Sequence, residues 1–598
     1  MTTNVLTRSF GNSRMGCFVD PSWTLTSEQV RKAGIRVLGE LRLDDPRGAE
    51  GQVLAVANLA MHGGGKHNVV FACDMSNNVH AFDADTLALL WKRNVGRPIT
   101  ITKKWDMWMV NPFWGILSTP VINPEAGILY CVSTSSVNGL MDNAVYTLHS
   151  MVLADGSDHA PPLVLNGATC KPPGDAPLQT LGTVARKQRP ALTLLSASGR
   201  NTLFIPFGSF IESAKTNLGW VLAIDVTDPA QPAIAASWTT GAGQFAGAGI
   251  WQAGQGLSVD ENQNLHGMTG NGGFDPPAGD FGNCFFRLAY TPAVSGSPAR
   301  LQCVDWWSPY SDAGRAGDDP TLAIPHSNPP DSMDPTPTNA VNNTSNAHLV
   351  GDEDLGSGGA LPLPRSLTGF AKEVIVGGGK DGIFYVLDSA KLGQTQRTDF
   401  APAHIAGNWK SLLSPPWAAT YNGLGLDLAP VLLDTLPSTM GGYTRHIHGS
   451  PVGYKSPDHG IMLFVQGENS PLQAVQLNAD FSLSWIAAGQ EVASQGMPPP
   501  GGMPGGMLVL TCKAQGDNTA VLWSLMPWFG NANKSPPTPG RLVAYGANWV
   551  NDAGPTLIKL WDSADWGINY MHAKFNILTP FNNRLFVPSY DGRILVMG

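Results

Sequence analysis

The feature that most constrains this chain is a short apolar strand that ends in Asp and is followed, several residues later, by Trp. The clearest copy is VHAFDADTLALLW, from Val79 to Trp91. It returns as WVLAIDVTDPAQPAIAASW ending at Trp238, as IFYVLDSAKLG around Asp388, as LQAVQLNADFSLSW ending at Trp485, and as RLVAYG followed by Trp561. Weaker copies are YTLHSMVLADG near Asp155 and CFFRLAY near Arg287, and a last strand, GRILVMG, ends at Gly598. Before the Asp, apolar and small residues alternate as in a half-buried strand. The Asp caps the next turn, with a following Thr or Ser in support. The Trp returns on the next strand, where its large face can pack between neighbouring sheets. Copies lie roughly 50 to 100 residues apart, so several units carry loop insertions.

A chain of 598 residues would ordinarily divide into several domains, because a single core stops growing well below that size. A repeat architecture escapes this limit, since each unit brings its own core. The composition agrees: 68 Gly and 47 Pro accompany a hydrophobic fraction of 43%, as expected for many short strands joined by tight turns. The expected fold is therefore all-β, a β-propeller of about eight four-stranded antiparallel blades. The N-terminal piece, 1–34, reads as an arm with a short helix in LTSEQVRKAG, capped by Thr26 or Ser27. The propeller would span 35–598, with Ile35 to Leu43 giving a strand to the last blade and closing the ring. One stretch escapes the repeat: from about Pro309 to Val350 the chain is rich in Pro, Asp, Asn and Ser. A long connection of that kind reads as a functional loop or a disordered insertion, and its place just ahead of DEDLGSGG would let it cover one mouth of the channel.

Several functional classes fall away. Charged residues make up 14% with a formal net charge of −9 and no basic stripe, which argues against nucleic-acid binding. No apolar run approaches the ~20 residues of a membrane helix. The opening MTTNVLTRSFGNSRMG has no apolar core of a secretory signal, so the expectation is a cytoplasmic protein or one exported with its signal removed. Seven cysteines show no CxxC spacing, hence no zinc signature and no legible disulfide framework.

At this point the chain resembles a family. AFDADTLALLW, Ala81 to Trp91, matches the AxDAxTxxxxW tryptophan-docking repeat of the pyrroloquinoline-quinone (PQQ) propellers. HNVVFA, GILSTPVI, GIWQAGQG, MTGNGGFD, DLGSGG, GKDGIFYVLD, IHGSPV, GEN, MPGGML and AKF look like phrases of uncharacterised bacterial PQQ-like propellers. The likeness runs from about Val53 to the last residue. It implies a quinoprotein-like eight-bladed propeller with ligands at one mouth of its channel, and an oxidoreductase acting on an alcohol or sugar-type small molecule.

The resemblance also implies a site. Trp251 in GIWQAG, with Gln252 beside it, resembles the indole on which the quinone lies, and Lys380 in GGGKDG resembles the cation at the quinone oxygens. Asn271 and Asp354 resemble calcium ligands, Glu212 is a poorer match to the calcium-ligand Glu, and Asp352 or Asp354 resembles the base. Lys574 in AKF completes the cofactor set. Hard oxygen ligands suit Ca²⁺, a cation stabilises charge developing on quinone oxygens, and a carboxylate takes the substrate proton. The adjacent-cysteine pair found in many such enzymes is missing. Each residue also has a structural reading: Trp251 as a packing aromatic, Asn271 as a turn residue with positive φ, Asp352 and Asp354 as turn caps, and Lys380 as the start of a hairpin turn.

A second reading comes from the residues alone. RHIHGSPV sets His446 and His448 two apart, so both rings point to one face of an extended strand. Glu468 and His572 would complete a site for Zn, Cu or Fe, able to activate water or bind oxygen. A third reading is non-catalytic, a rigid disc that presents its loops to a polymer or protein partner.

Overall fold

The computed structural model describes residues 2–102, 110–182, 186–209, 218–242, 247–308, 354–380, 384–396, 409–411, 446–497, 502–551 and 554–598. They form an eight-bladed β-propeller of antiparallel sheets. In chain order, the innermost strands of the blades are Leu54–Ala60, Val121–Asn123, Thr193–Ala197, Ser258–Val259, Leu361–Leu363, Val452–Ser456, Met507–Cys512 and Thr579–Phe581. Three further strands follow outward in each blade. In the first these are Lys66–Cys73, Asn78–Asp83 and Leu89–Asn94.

The repeat performs the packing expected of it. In the first blade Asp83 Oδ1 accepts the backbone N–H groups of Asp85 (2.8 Å) and Thr86 (2.7 Å), which fixes the turn after the strand. Trp91 then reaches across to the second blade and donates its indole N–H to the Leu153 carbonyl at 2.9 Å. Asp225, Asp388 and Asp562 cap their turns in the same manner. Trp238 lies between the third and fourth blades, 5.0 Å from Phe286 and 5.6 Å from Phe281. The motif therefore does two jobs, a local turn and an inter-blade dock, and both are needed for radial stacking.

Ring closure is as expected. Val37–Arg42 pairs antiparallel with Arg593–Met597, so the outermost strand of the last blade comes from the beginning of the chain. Ahead of it lies the helix Ser27–Ala33, whose Thr26 side chain accepts from the Gln29 N–H.

The first twenty residues do something that composition did not reveal. They run along the inner strands around the axis. Val5 exchanges backbone hydrogen bonds with Ala55, and the Leu6 carbonyl accepts from Ile122. Asn12 bonds Leu194 and Val259, Met15 bonds Gly453, and Gly16 bonds Leu510. Cys17–Val19 then joins the seventh blade as a parallel strand. Arg14 is fully buried at the centre of this arrangement. It donates to the Leu257, Arg8 and Leu192 carbonyls and to the Thr7 and Thr193 hydroxyls at 2.6 to 3.2 Å. The arm thus braces the inner strands, which a ring of wedges otherwise leaves facing an open channel.

Among the described residues no helix is long and apolar enough to cross a membrane. All seven cysteines are free, although the Cys17 and Cys512 sulfurs lie 3.8 Å apart. The segment at about 309–350 lies outside the described residues.

Candidate functional site

Asp354, His446, His448, Lys574 and Trp251 come from segments just ahead of an innermost strand, whereas Asn271, Lys380 and Glu468 follow the second strand of their blades. Asp354 and Lys380 belong to the fifth blade, His446 and His448 to the sixth, Lys574 to the eighth, and Trp251 precedes the fourth. Strand geometry explains the placement: in an antiparallel blade the start of the first strand and the end of the second lie at the same end of the sheet, so both connections open on one face.

One bonded set joins three candidates from the sequence. Lys380 Nζ lies 2.8 Å from Asp354 Oδ2, and the backbone N–H of Asn271 donates to Asp354 Oδ1 at 2.8 Å. The Lys380 backbone N–H also donates to the Asp354 carbonyl, at 3.0 Å. The Asn271 side chain takes part through its Oδ1, which lies 3.3 Å from Asn283 Nδ2, and Asn283 Oδ1 accepts from the Leu355 N–H. Trp251 stands beside this set on a floor of backbone. A Cβ on Gly208 or Gly249 would come within 2.8 Å of the indole, and one on Gly270 would collide with Asp354 Oδ1 and lie 3.3 Å from the indole. These glycines are what let an aromatic plane and a carboxylate approach so closely. Gln252 sits next to Trp251, fully buried, with its Oε1 accepting from the Met268 N–H at 3.2 Å.

A second set adjoins the first. His448 Nε2 is 2.7 Å from Glu468 Oε1, and His446 Nδ1 is 3.7 Å from the same oxygen. All three are buried, and their ligand atoms lie within 4.8 Å of one another. The Glu468 N–H donates to the His446 carbonyl at 2.9 Å, tying the two segments together. Burial pulls His446 down to about 3, aided by His448 and Lys380 against the opposing pull of Glu468 and Asp354. Burial likewise holds His448 well below the usual imidazole range, with Lys380 and Lys574 adding to the effect. Both imidazoles are therefore neutral at physiological pH. The His448 ring lies 5.7 Å from Phe575, on which the Arg189 guanidinium rests.

The chain's architecture matches known structures. It is similar to two quinohemoprotein alcohol dehydrogenases, from Pseudomonas putida HK5 and Comamonas testosteroni. Their TM-scores are 0.52 and 0.51, each at 12% identity over 99% of this chain and 80% of the other. The fold is that of a quinoprotein-like propeller. No protein-family model and no curated protein matches the sequence.

Within this quinoprotein-like propeller the expected residues do not all gather. Glu212 and Asp352 lie outside the described residues. Around Asp354, no group of three His, Cys, Asp or Glu ligands forms among the described residues. His572 is buried but is not part of the His446–His448–Glu468 group. Its N–H bonds the Thr538 carbonyl, and burial alone pulls its imidazole down to about 3. Its backbone makes an isolated bridge to Ser589 of the same blade. Lys574 bonds Asn533, and Asn469 donates to the Met497 carbonyl at 2.9 Å.

Sequence reasoning missed a further buried cluster. Glu50 accepts from Arg189, Asn111 and Tyr590, which come from widely separated parts of the chain. Arg189 also donates to the Lys574 carbonyl at 3.2 Å, which links this cluster to the candidate site. A signal did exist: Glu50 and Arg189 sit just ahead of inner strands, as Asp354, His448 and Lys574 do. Aligning the copies on the inner strand, rather than on the Asp–Trp motif, would have exposed it.

The loop carrying Asn271 and Asn283 is a hairpin, Phe274–Asp275 with Asp280–Phe281. Asp280 is buried, accepts from the Ala242 N–H at 2.9 Å, and has no partner for Oδ2 among the described residues. Burial pushes its carboxyl up to about 6, reinforced by Asp275. With the folded value raised, the folded state binds more protons than the unfolded one between about pH 4 and pH 6. Stability is therefore present in acid and lost as the pH rises through about 6. Asp280→Asn should stabilise the protein by about 1–2 kcal/mol at pH 8 and have no effect near pH 4. Urea midpoints at the two pH values check this.

Proposed function

We propose that this propeller is a quinoprotein-type oxidoreductase that oxidises a hydroxyl group of an alcohol or sugar-type small molecule at its axial site. The observation that carries the reading is the bonded set of Lys380, Asp354 and Asn271 beside Trp251, brought together from separate loops. Support also comes from the fold, since the two similar structures are, by name, alcohol dehydrogenases.

The residues fit a quinone better than they fit its usual metal. A flat indole backed by glycines is a platform for a planar ring, and a lysine ammonium stands within reach of the same space. Calcium needs six to eight oxygen ligands. Here one oxygen of Asp354 is taken by the Lys380 ammonium and the other by a backbone N–H. No step is therefore assigned to calcium.

A bound quinone would supply the two-electron acceptor. The chain's own residues would do the rest. Trp251 would hold the ring plane, with the Gly208 and Gly249 backbone packed against the indole. Lys380 would place a positive charge where negative charge develops, a stabilisation that is strong in a buried site. Asp354 would receive the substrate's hydroxyl proton. The Asn271 N–H fixes the carboxylate plane.

Full-length protein incubated with PQQ, with and without Ca²⁺, tests the reading through dye reduction over a panel of alcohols and sugars. The expected result is PQQ-dependent turnover together with a rise in Tm on adding PQQ. No thermal shift and no turnover would overturn it.

A further inference from the structure

We infer that His446, His448 and Glu468 form a three-ligand site for a divalent transition metal of the zinc, copper or ferrous iron class, with a fourth position open. This goes beyond the quinone reading and does not depend on it. The three donors are two imidazoles and one carboxylate, a set that suits borderline metals and not calcium.

The geometry is that of ligands around a common point. Donors bound at 2.0 to 2.2 Å in a tetrahedron lie about 3.3 Å apart. The Glu468 oxygen is 2.7 Å from His448 Nε2 and 3.7 Å from His446 Nδ1, which straddles that separation. All three side chains are buried, and the backbone bond from Glu468 to His446 holds the two segments in place. A plain His448–Glu468 hydrogen bond would account for two of these residues. It would not account for His446, which is buried and whose Nδ1 stands 3.7 Å from the same oxygen, beyond hydrogen-bond reach. A second buried imidazole gathered with an existing His–Glu pair into one group of donor atoms is what a metal site requires.

The surroundings favour a particular fourth ligand. Two neutral imidazoles and one carboxylate leave a divalent ion with a net positive charge. The Gly379 carbonyl, one residue before Lys380, accepts from the Ile447 N–H between the two histidines at 2.9 Å, which sets the lysine's segment beside the site. Lys380 pairs with Asp354 and Lys574 with Asn533. The open position therefore suits a small anionic oxygen or nitrogen donor, such as hydroxide or a carboxylate.

The test uses full-length protein, stripped with a chelator, dialysed, and titrated with Co²⁺ without quinone or substrate. One equivalent should bind with the visible bands of four-coordinate cobalt, be displaced by Zn²⁺, and change its spectrum on adding azide. His448→Ala and Glu468→Gln should each weaken binding by about a hundredfold while circular dichroism stays unchanged. His572→Ala should bind as wild type. If His448→Ala fails to fold, the near-isosteric Glu468→Gln decides alone. No uptake by folded wild-type protein, or unchanged affinity in Glu468→Gln, would overturn the site. An unchanged spectrum with azide would overturn the open position. Because metal uptake is read without PQQ, failure of the quinone reading leaves this result standing, and the reverse also holds.

Discussion

Asp354→Asn is expected to reduce PQQ-dependent dye reduction by about a thousandfold, within the range for loss of a general base. The substitution keeps the shape of the side chain, and its Oδ1 can still accept the Asn271 N–H. What disappears is the negative charge facing Lys380 at 2.8 Å. The amide nitrogen would then face the ammonium, so a stability loss of about 3 kcal/mol should accompany the loss of activity. The two effects can be separated. Adding Lys380→Met to Asp354→Asn removes the isolated charge, so the double variant should recover most of the lost Tm while remaining inactive. Because Lys380 is itself assigned to the charge that develops on the quinone, the double variant reports on stability alone. A KM largely unchanged in Asp354→Asn, with kcat carrying the loss, would place the residue in the chemical step rather than in binding.

The largest effect on stability is expected at Arg14. Arg14→Ala should lower stability by about 4 kcal/mol or more, because three carbonyls and two hydroxyls lose their donor in a site that water does not reach. Burial pulls this guanidinium down to about 9, and the full set of acceptors is what compensates the buried charge. Arg14→Lys should fail nearly as badly. One ammonium cannot reach Leu192, Leu257, Arg8, Thr7 and Thr193 together, whereas the planar guanidinium does so with its fork of donors. Urea midpoints of the two variants check the prediction. A loss below about 1 kcal/mol, typical of a surface change, would mean that the arm does not brace the inner strands.

Much of the fold was legible because its organising contacts are local and repeated. Asp83 caps its own turn and Trp91 docks on the next blade, so a motif of about a dozen residues encodes both the blade and its neighbour contact. The strand that closes the ring was legible for a related reason: the last blade needs an outer partner, and the segment after the short helix has the pattern of one. The candidate site was legible only in part. Trp251, Asn271, Asp354 and Lys380 could be singled out one at a time, each with an equally good structural explanation as a turn or packing residue.

The division between sequence and tertiary structure follows from the range of the interactions. The sequence by itself determined an all-β ring of similar sheets, because blade formation depends on periods and turns that any short window displays. It also supplied the His446–His448 pair, whose spacing is a local fact. Only the tertiary structure decided which distant groups share the axis. It put Glu468 with the histidines and His572 elsewhere, paired Lys380 with Asp354, joined Arg189 to Glu50, and wound the first twenty residues along the inner strands. Those contacts depend on how each loop leaves its blade and on the radial placement of all eight, and no local pattern carries that information.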